Sequence, residues 1–269
     1  MYINGHKLSA RRFSSGEFKF LRSVLDSCVK NNKVKIIYEN EYSFLELLMI
    51  VEYYKCKNIL IDLILTYLPY QRMDHLDRDE LDSVNYVLKI LNKIGLNSLT
   101  VCEPHCEIDI FYNVEKFSYV RSLITYVYED VGFVDGEDMV VLTDKGGVSR
   151  YGDLAKNVVY FNKVRDDNTG LIVKHEIVGQ IKSGSKALII DDIISTGDTI
   201  VNIIEELEKK GIKEIYVLSG HIENNKYNKR IFKYSSVVRV VSTNSLKKRS
   251  CDKLKLFSVI DLLSDKIKD

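Results

Sequence analysis

Strand-like apolar runs alternate with helix-like amphipathic ones along most of this chain. The densest run is Ala187-Leu188-Ile189-Ile190, which reads as a buried parallel strand. Two carboxylates, Asp191 and Asp192, stand where that strand is predicted to end. Ser195-Thr196-Gly197-Asp198-Thr199 follows as a short polar turn. A helix is predicted from about Asp198 to Lys210, with Ile200, Ile203, Ile204 and Leu207 on one face.

The same reading predicts strands at Lys33–Tyr38, Asn58–Tyr67, Leu99–Cys102, Met139–Leu142, Val158–Phe161, Glu214–Leu218 and Val237–Ser242. Helices are predicted at Phe18–Val29, Tyr42–Tyr54, Asp79–Ile94, Ser118–Tyr128, Val148–Lys156 and Asn224–Phe232, with a last strand–helix over Leu254–Ile267. Residues 166–185 are polar and then alternate, as a mobile hairpin would. The polar turn around Gly132–Glu137 is the natural boundary, giving domains 1–130 and 131–269, with the last helix packing on the first. Two rounds of strand–helix alternation predict an α/β class.

Composition narrows the picture. The 269 residues suffice for one large or two ordinary domains, and 45% hydrophobic content supplies a core. A net charge of +1 sets up no global field for nucleic acid or membrane. Five scattered cysteines argue for a reducing, cytoplasmic setting rather than a disulfide framework. No apolar run approaches the roughly 20 residues that span a bilayer, and the N-terminus lacks the apolar centre of a signal peptide. Richness in Lys, Asn, Ile and Tyr suggests an AT-rich genome, such as a viral one.

Candidate chemistry clusters at predicted strand ends. A turn rich in backbone N–H groups at a helix N-terminus is an anion site. Thr196 and Thr199 add hydroxyl donors, Gly197 permits close approach, and two acids suit the hydroxyls of a ribose. Together these suggest a ribose-phosphate cradle. Pro69 ends the second strand before Arg72, Asp74 and His75. His105 follows Pro104 at the end of another strand. Cys102, His105 and Cys106 invite a zinc reading, but no second Cys/His pair lies at suitable spacing. Asp144-Lys145-Gly146-Gly147 forms a second small-residue turn, where adjacent N–H groups can make an anion nest. Lys163 and Arg165 open the polar hairpin. Phe13-Ser14-Ser15-Gly16-Glu17 alone reads as a helix entrance.

An apolar strand, two acids, two apolar residues and Thr-Gly-x-Thr resemble the motif of type I phosphoribosyltransferases and of ribose-phosphate diphosphokinases (PRPP synthetases). Pro69-Tyr70-x-Arg72-x-Asp74, His105, Asp144–Arg150, Lys163-x-Arg165 and the terminal Lys253–Val259 follow the diphosphokinases in order along nearly the whole chain. The resemblance implies two type I phosphoribosyltransferase-like domains, each a mostly parallel sheet flanked by helices. It implies ATP, a ribose 5-phosphate-type acceptor, Mg²⁺ and a homo-oligomer, dimer or larger. Phe13, Ser15, Glu17, Arg72, Asp74 and His75 would hold ATP. His105 and Asp144 would bind metal, and Asp144–Gly147 would form the pyrophosphate loop. Lys163 and Arg165 would stabilise the transferring diphosphate from a flap. Asp191 and Asp192 would bind metal or ribose hydroxyls, and Ser195–Thr199 the 5′-phosphate.

There are departures. The chain starts late relative to the family, Thr143 replaces a proline, and an acidic run follows His75. Ser195 replaces an acid and Asp198 a glycine. A carboxylate at 198 would repel a 5′-monophosphate more than a diester, which opens ADP-ribose, in NAD salvage, as an alternative acceptor. A phosphoribosyltransferase consuming PRPP and a catalytically silent relative are the rivals. The ATP-side segments argue against the first, and intact His105, Asp144, Lys163 and Arg165 against the second.

Overall fold

The computed structural model describes residues 1–8, 11–40, 42–73, 80–108, 113–165 and 172–268; for 163–165, 172–175 and 268 it describes the backbone path. The chain divides into two units, Met1–Phe117 with Ile260–Asp269, and Ser118–Val259.

The first unit opens with β1 (Tyr2–Ile3), β2 (His6–Lys7), β3 (Arg11–Arg12), β4 (Phe18–Lys19) and α1 (Arg22–Ser27). It continues with β5 (Lys33–Tyr38), α2 (Phe44–Lys55), β6 (Leu60–Leu65), α3 (Ser83–Lys93), β7 (Ser98–Cys102) and β8 (Val114–Phe117). The sheet order is β2-β1-β5-β6-β7-β8, parallel from β5 to β8. Ile36, Leu63, Leu65, Leu99 and Val101 are fully buried in its core, each such side chain contributing about 1.5–3 kcal/mol. A capping box starts α2: Glu46 N–H donates to Ser43 Oγ (3.2 Å) and Ser43 N–H to Glu46 Oε2 (2.7 Å). The helix expected over Phe18–Val29 is only Arg22–Ser27. Residues Phe13–Glu17 turn back instead, Phe13 N–H donating to Glu17 C=O (2.8 Å), so β3 and β4 form a hairpin.

The second unit runs α4 (Tyr119–Val131), β9 (Met139–Leu142), α5 (Lys145–Tyr151), β10 (Val158–Arg165), β11 (Ile172–Val178) and β12 (Ala187–Ile194). Then come α6 (Asp198–Lys209), β13 (Ile215–Ile222), a 3₁₀ helix (Tyr227–Lys233), β14 (Val237–Thr243) and β15 (Leu254–Phe257). The order is β11-β10-β9-β12-β13-β14-β15, parallel except for the β10/β11 pair. The division at Phe117/Ser118 leaves the Gly132–Glu137 turn inside this unit, because α4 buries Tyr119, Val120, Leu123 and Val127 and packs on β13. Finally α7 (Val259–Leu262) leads to α8 (Ser264–Lys268) and back to the first unit.

None of the cysteines forms a disulfide. Among the described residues no helix is long and apolar enough to cross a membrane.

Candidate active site

In the second unit the chain leaves β9 toward β10 and later returns to its other side as β12. The loops at the C-terminal ends of β9 and β12 therefore part, which is where open α/β sheets take ligands. β12 does not stop at Ile190. It pairs with β13 through Asp191↔Ser219 and on to Ile194↔Ile222, so both acids lie within the strand. Successive strand residues face opposite sides. Asp191 Oδ1 accepts from Thr143 Oγ1 (3.0 Å), while Asp192, 1% exposed, meets Arg150 Nη1 from α5 at 3.5 Å.

Burial, then the charge of Asp192, pushes the Asp191 carboxyl well above the carboxylate range, against the opposing Thr143 hydrogen bond. The folded state thus holds a proton that the unfolded chain has lost, so this group's contribution to stability falls as pH rises from 3.8 through the raised folded value. Asp191→Asn removes that dependence. In thermal melts under chelator, the stability of the variant relative to the parent is expected to grow with pH above about 4. A difference that stays constant with pH would contradict this account.

The polar turn ends at Gly197, which caps α6 with φ +82° and without a side-chain cap. The N-terminus of a twelve-residue helix is left to backbone N–H groups. A Cβ at Gly197 would stand 2.9 Å from Ile231 Cδ1 and 3.3 Å from Asn228 Cα on the 3₁₀ helix. Gly197→Ala is therefore expected to destabilise the fold by about 1–3 kcal/mol. An unchanged melting temperature in the variant would contradict this account. Ser195 Oγ donates to Glu223 Oε2 (2.7 Å) and Thr196 Oγ1 to Asp198 Oδ2 (2.6 Å). Asp198 is the first residue of α6, 62% exposed, and paired with Arg230. The Thr196 hydrogen bond, followed by that of Arg230, holds its carboxyl below the usual range. Asp198 is thus a helix N-terminal acid whose charge Arg230 offsets. Thr199 begins the first turn beside it.

Asp144 caps α5, its Oδ1 accepting from Gly147 N–H (2.8 Å). The helix begins at Lys145, not Val148, and Gly146 and Gly147 lie in its first turn. A Cβ at 146 would be 3.2 Å from Asp144 Oδ1, a tight contact, and one at 147 would be 3.4 Å from Leu142 Cβ, an ordinary van der Waals distance. One N–H of the expected nest is therefore taken by Asp144. Lys163 and Arg165 lie on β10, opposite His175 and Ile172 of β11, with a register shift between Val164 and Arg165.

The other expected residues lie in the first unit. Phe13, Ser15 and Glu17 form the tip of the β3–β4 hairpin, Ser15 Oγ donating to Glu17 Oε2 (2.8 Å). Arg72 is exposed in the turn after β6; Asp74 and His75 fall outside the described residues. His105 N–H donates to Oε1 of the fully buried Gln71 (3.2 Å). Tyr70 and Glu103, which flank this contact, take φ +64° and +45°, a region non-glycine residues rarely adopt. The sequence reading missed Gln71, Glu223, Asn228 and Arg230. Gln71 looks like any solvated loop residue, and the other three have no local signal because their partners lie 28 to 32 residues away.

The residues fit a hard divalent cation. Asp192 and Asp144 both raise the Asp191 carboxyl, so three carboxylates share this end of the sheet with Arg150. No three of the described His, Cys, Asp and Glu side chains stand together as a metal-ligand group. A hard cation held by one or two carboxylates would complete its coordination with water and other oxygen ligands.

Switch-point acids and a glycine-opened helix without a side-chain cap are features of an α/β phosphate-binding domain. Residues 113–252, just over half the chain, match the family described as Phosphoribosyl transferase domain. The ribose-phosphate pyrophosphokinase of Sulfurisphaera tokodaii is 29% identical over 211 residues, covering 76% of this chain and 72% of that protein. The enzyme of the same name from Staphylococcus epidermidis is 27% identical over 278 residues, covering 97% and 85%. The crystal structure of phosphoribosylpyrophosphate synthetase from Mycobacterium smegmatis shares the fold, with TM-score 0.75 and 22% identity over 97% of this chain and 88% of that one. The chain belongs to the phosphoribosyl transferase domain family and is a divergent relative of the ribose-phosphate pyrophosphokinases, an enzyme of the transferase class.

Proposed function

We propose that this enzyme transfers the β,γ-diphosphate of ATP to the 1-hydroxyl of ribose 5-phosphate, giving PRPP and AMP. The oxygen at C1 attacks the β-phosphorus, the bond to the α-phosphate oxygen breaks, and the hydroxyl proton passes to solvent. The observation that carries this reading is the pairing of Asp191 and Asp192 with the Gly197-opened start of α6, at the switch point of a sheet whose relatives are named ribose-phosphate pyrophosphokinases. In this reading Ser195–Thr199 hold the 5′-phosphate and Asp191 and Asp192 face the ribose hydroxyls or the metal. Lys163 and Arg165 meet the charge developing on the diphosphate, and Lys145, Gly146 and Gly147 face the diphosphate at the start of α5. Phe13, Ser15, Glu17, Arg72, Asp74 and His75 hold ATP. Asp144 and His105 hold Mg²⁺, which supplies charge neutralisation for the polyphosphate when bound. The remainder of catalysis is positioning.

The repulsion from Asp198 that would favour a diester such as ADP-ribose is offset by Arg230, so ribose 5-phosphate is the acceptor in this reading. The test is AMP release from ATP with each acceptor in turn and no nucleobase present. AMP formed at higher kcat/KM with ribose 5-phosphate is the expected result. A preference for ADP-ribose would move the acceptor, and pyrophosphate release from PRPP plus a base would make the protein a phosphoribosyltransferase.

A further inference from the structure

The Ser195–Asp198 turn is held from one side by the segment that follows β13. Ser195 Oγ donates to the Glu223 carboxylate (2.7 Å), and the fully buried Asn228 fastens that residue, its Nδ2 donating to the Glu223 carbonyl (2.8 Å). Gly197 lies against Asn228 Cα and Ile231. Thr196 Oγ1 donates to Asp198 Oδ2 (2.6 Å), and Arg230 Nη2 donates to Asp198 Oδ1. Arg230 is itself oriented by a hydrogen bond from Nε to the Tyr227 carbonyl (3.3 Å). Both oxygens of the Asp198 carboxylate are thus occupied, one by the turn and the other by the 3₁₀ helix.

The hydroxyls of Ser195 and Thr196, which would donate to a 5′-phosphate, therefore donate to carboxylates instead. For Thr196 Oγ1 to meet a phosphate it must leave Asp198 Oδ2. The carboxylate then stands beside a second anion, with Arg230 as its paired cation. A phosphomonoester is close to a dianion at pH 7, since its second pKa is about 6, whereas a diester phosphate carries one charge. Neighbouring like charges repel, and a guanidinium fixed on the acid cancels its share of that repulsion. The ion pair is exposed, so it adds little to the stability of the fold. Its effect falls on which phosphate the turn can hold.

We propose that Arg230 is a specificity-determining residue: by neutralising Asp198 it lets the turn hold the dianionic phosphate of a phosphomonoester sugar, and without it the turn favours a diester. The inference rests on the assignment of Ser195–Thr199 to the 5′-phosphate. Calorimetric titration of the full chain with ribose 5-phosphate and with ADP-ribose, in Mg²⁺ and without ATP, tests it independently of turnover. Arg230→Gln is expected to weaken ribose 5-phosphate binding at least about tenfold and ADP-ribose binding no more than about threefold. Asp198→Asn alone should tighten ribose 5-phosphate binding. Added to Arg230→Gln, it should bring the affinity back to within about threefold of the parent. The melting temperature should move by no more than about 3 °C in any of the three variants. An ion pair that merely braces the turn would weaken ribose 5-phosphate binding equally in both single variants and in the double, and that result overturns the proposal. So does parental affinity for ribose 5-phosphate in Arg230→Gln, or a parent that binds ADP-ribose alone. A parent that binds neither compound overturns the assignment of the turn, and this inference with it.

Discussion

Lys163→Ala and Arg165→Ala are each expected to lower turnover by about two orders of magnitude or more, with stability changed by less than about 0.5 kcal/mol. β10 pairs with β9 only from Val158 to Tyr160 but with β11 as far as Arg165. Residues Asn162–Arg165 therefore belong to a two-stranded arm that extends past the parallel sheet. The ladder of such an arm is made by backbone groups, which these substitutions leave in place. Diphosphate transfer, by contrast, builds negative charge on the migrating group, and fixed cations are worth most where that charge appears. Steady-state rates and thermal melts of the two variants decide the matter. Unchanged turnover in either one removes that residue from the chemistry.

Excess chelator is expected to abolish turnover, and Mg²⁺ or Mn²⁺ to restore it. Asp144, Asp191 and Asp192 crowd one sheet end with Arg150 as their paired cation, and Asp191 holds its proton abnormally well. A divalent ion would relieve both conditions, so its binding should release protons and raise the melting temperature at neutral pH. His105→Ala should raise the metal concentration for half-maximal activity about tenfold. Gln71→Ala, which removes the acceptor of the His105 N–H, should do the same to a lesser extent. Full activity in excess chelator would end the metal reading.

Strands β5, β9 and β14, and helix α6, were legible to within about a residue, because each is a continuous apolar run or a regular stripe bounded by polar residues. The acids at 191 and 192 misled the reading of β12. Carboxylates usually mark a strand end, yet here the ladder with Ser219–Ile222 carries the strand onward, and that pairing is invisible along one chain. Gly146-Gly147 reads as a turn, since glycine is a poor helix former. The helix nevertheless starts at Lys145, because the Asp144 side chain caps it by accepting from Gly147 N–H. Strand β8, Val114-Glu-Lys-Phe, is too short and too polar to announce itself. The candidate site divides along the same line. Asp191, Asp192 and Ser195–Thr199 are contiguous and could be found from their spacing. Arg230, Glu223 and Gln71 act on them, or on His105, from distant loops.

The return of Ile260–Asp269 to the first unit sets an order of assembly. Lys35 Nζ donates to the carbonyl of Lys266 (2.5 Å), Lys266 Nζ reaches Glu115 Oε1 (2.5 Å), and Leu263 is fully buried. These residues leave the ribosome after the entire second unit, so the unit synthesised first is the last to be completed. Until then its sheet waits on the ribosome without its closing segment, while Ser118–Val259 already has every strand it needs.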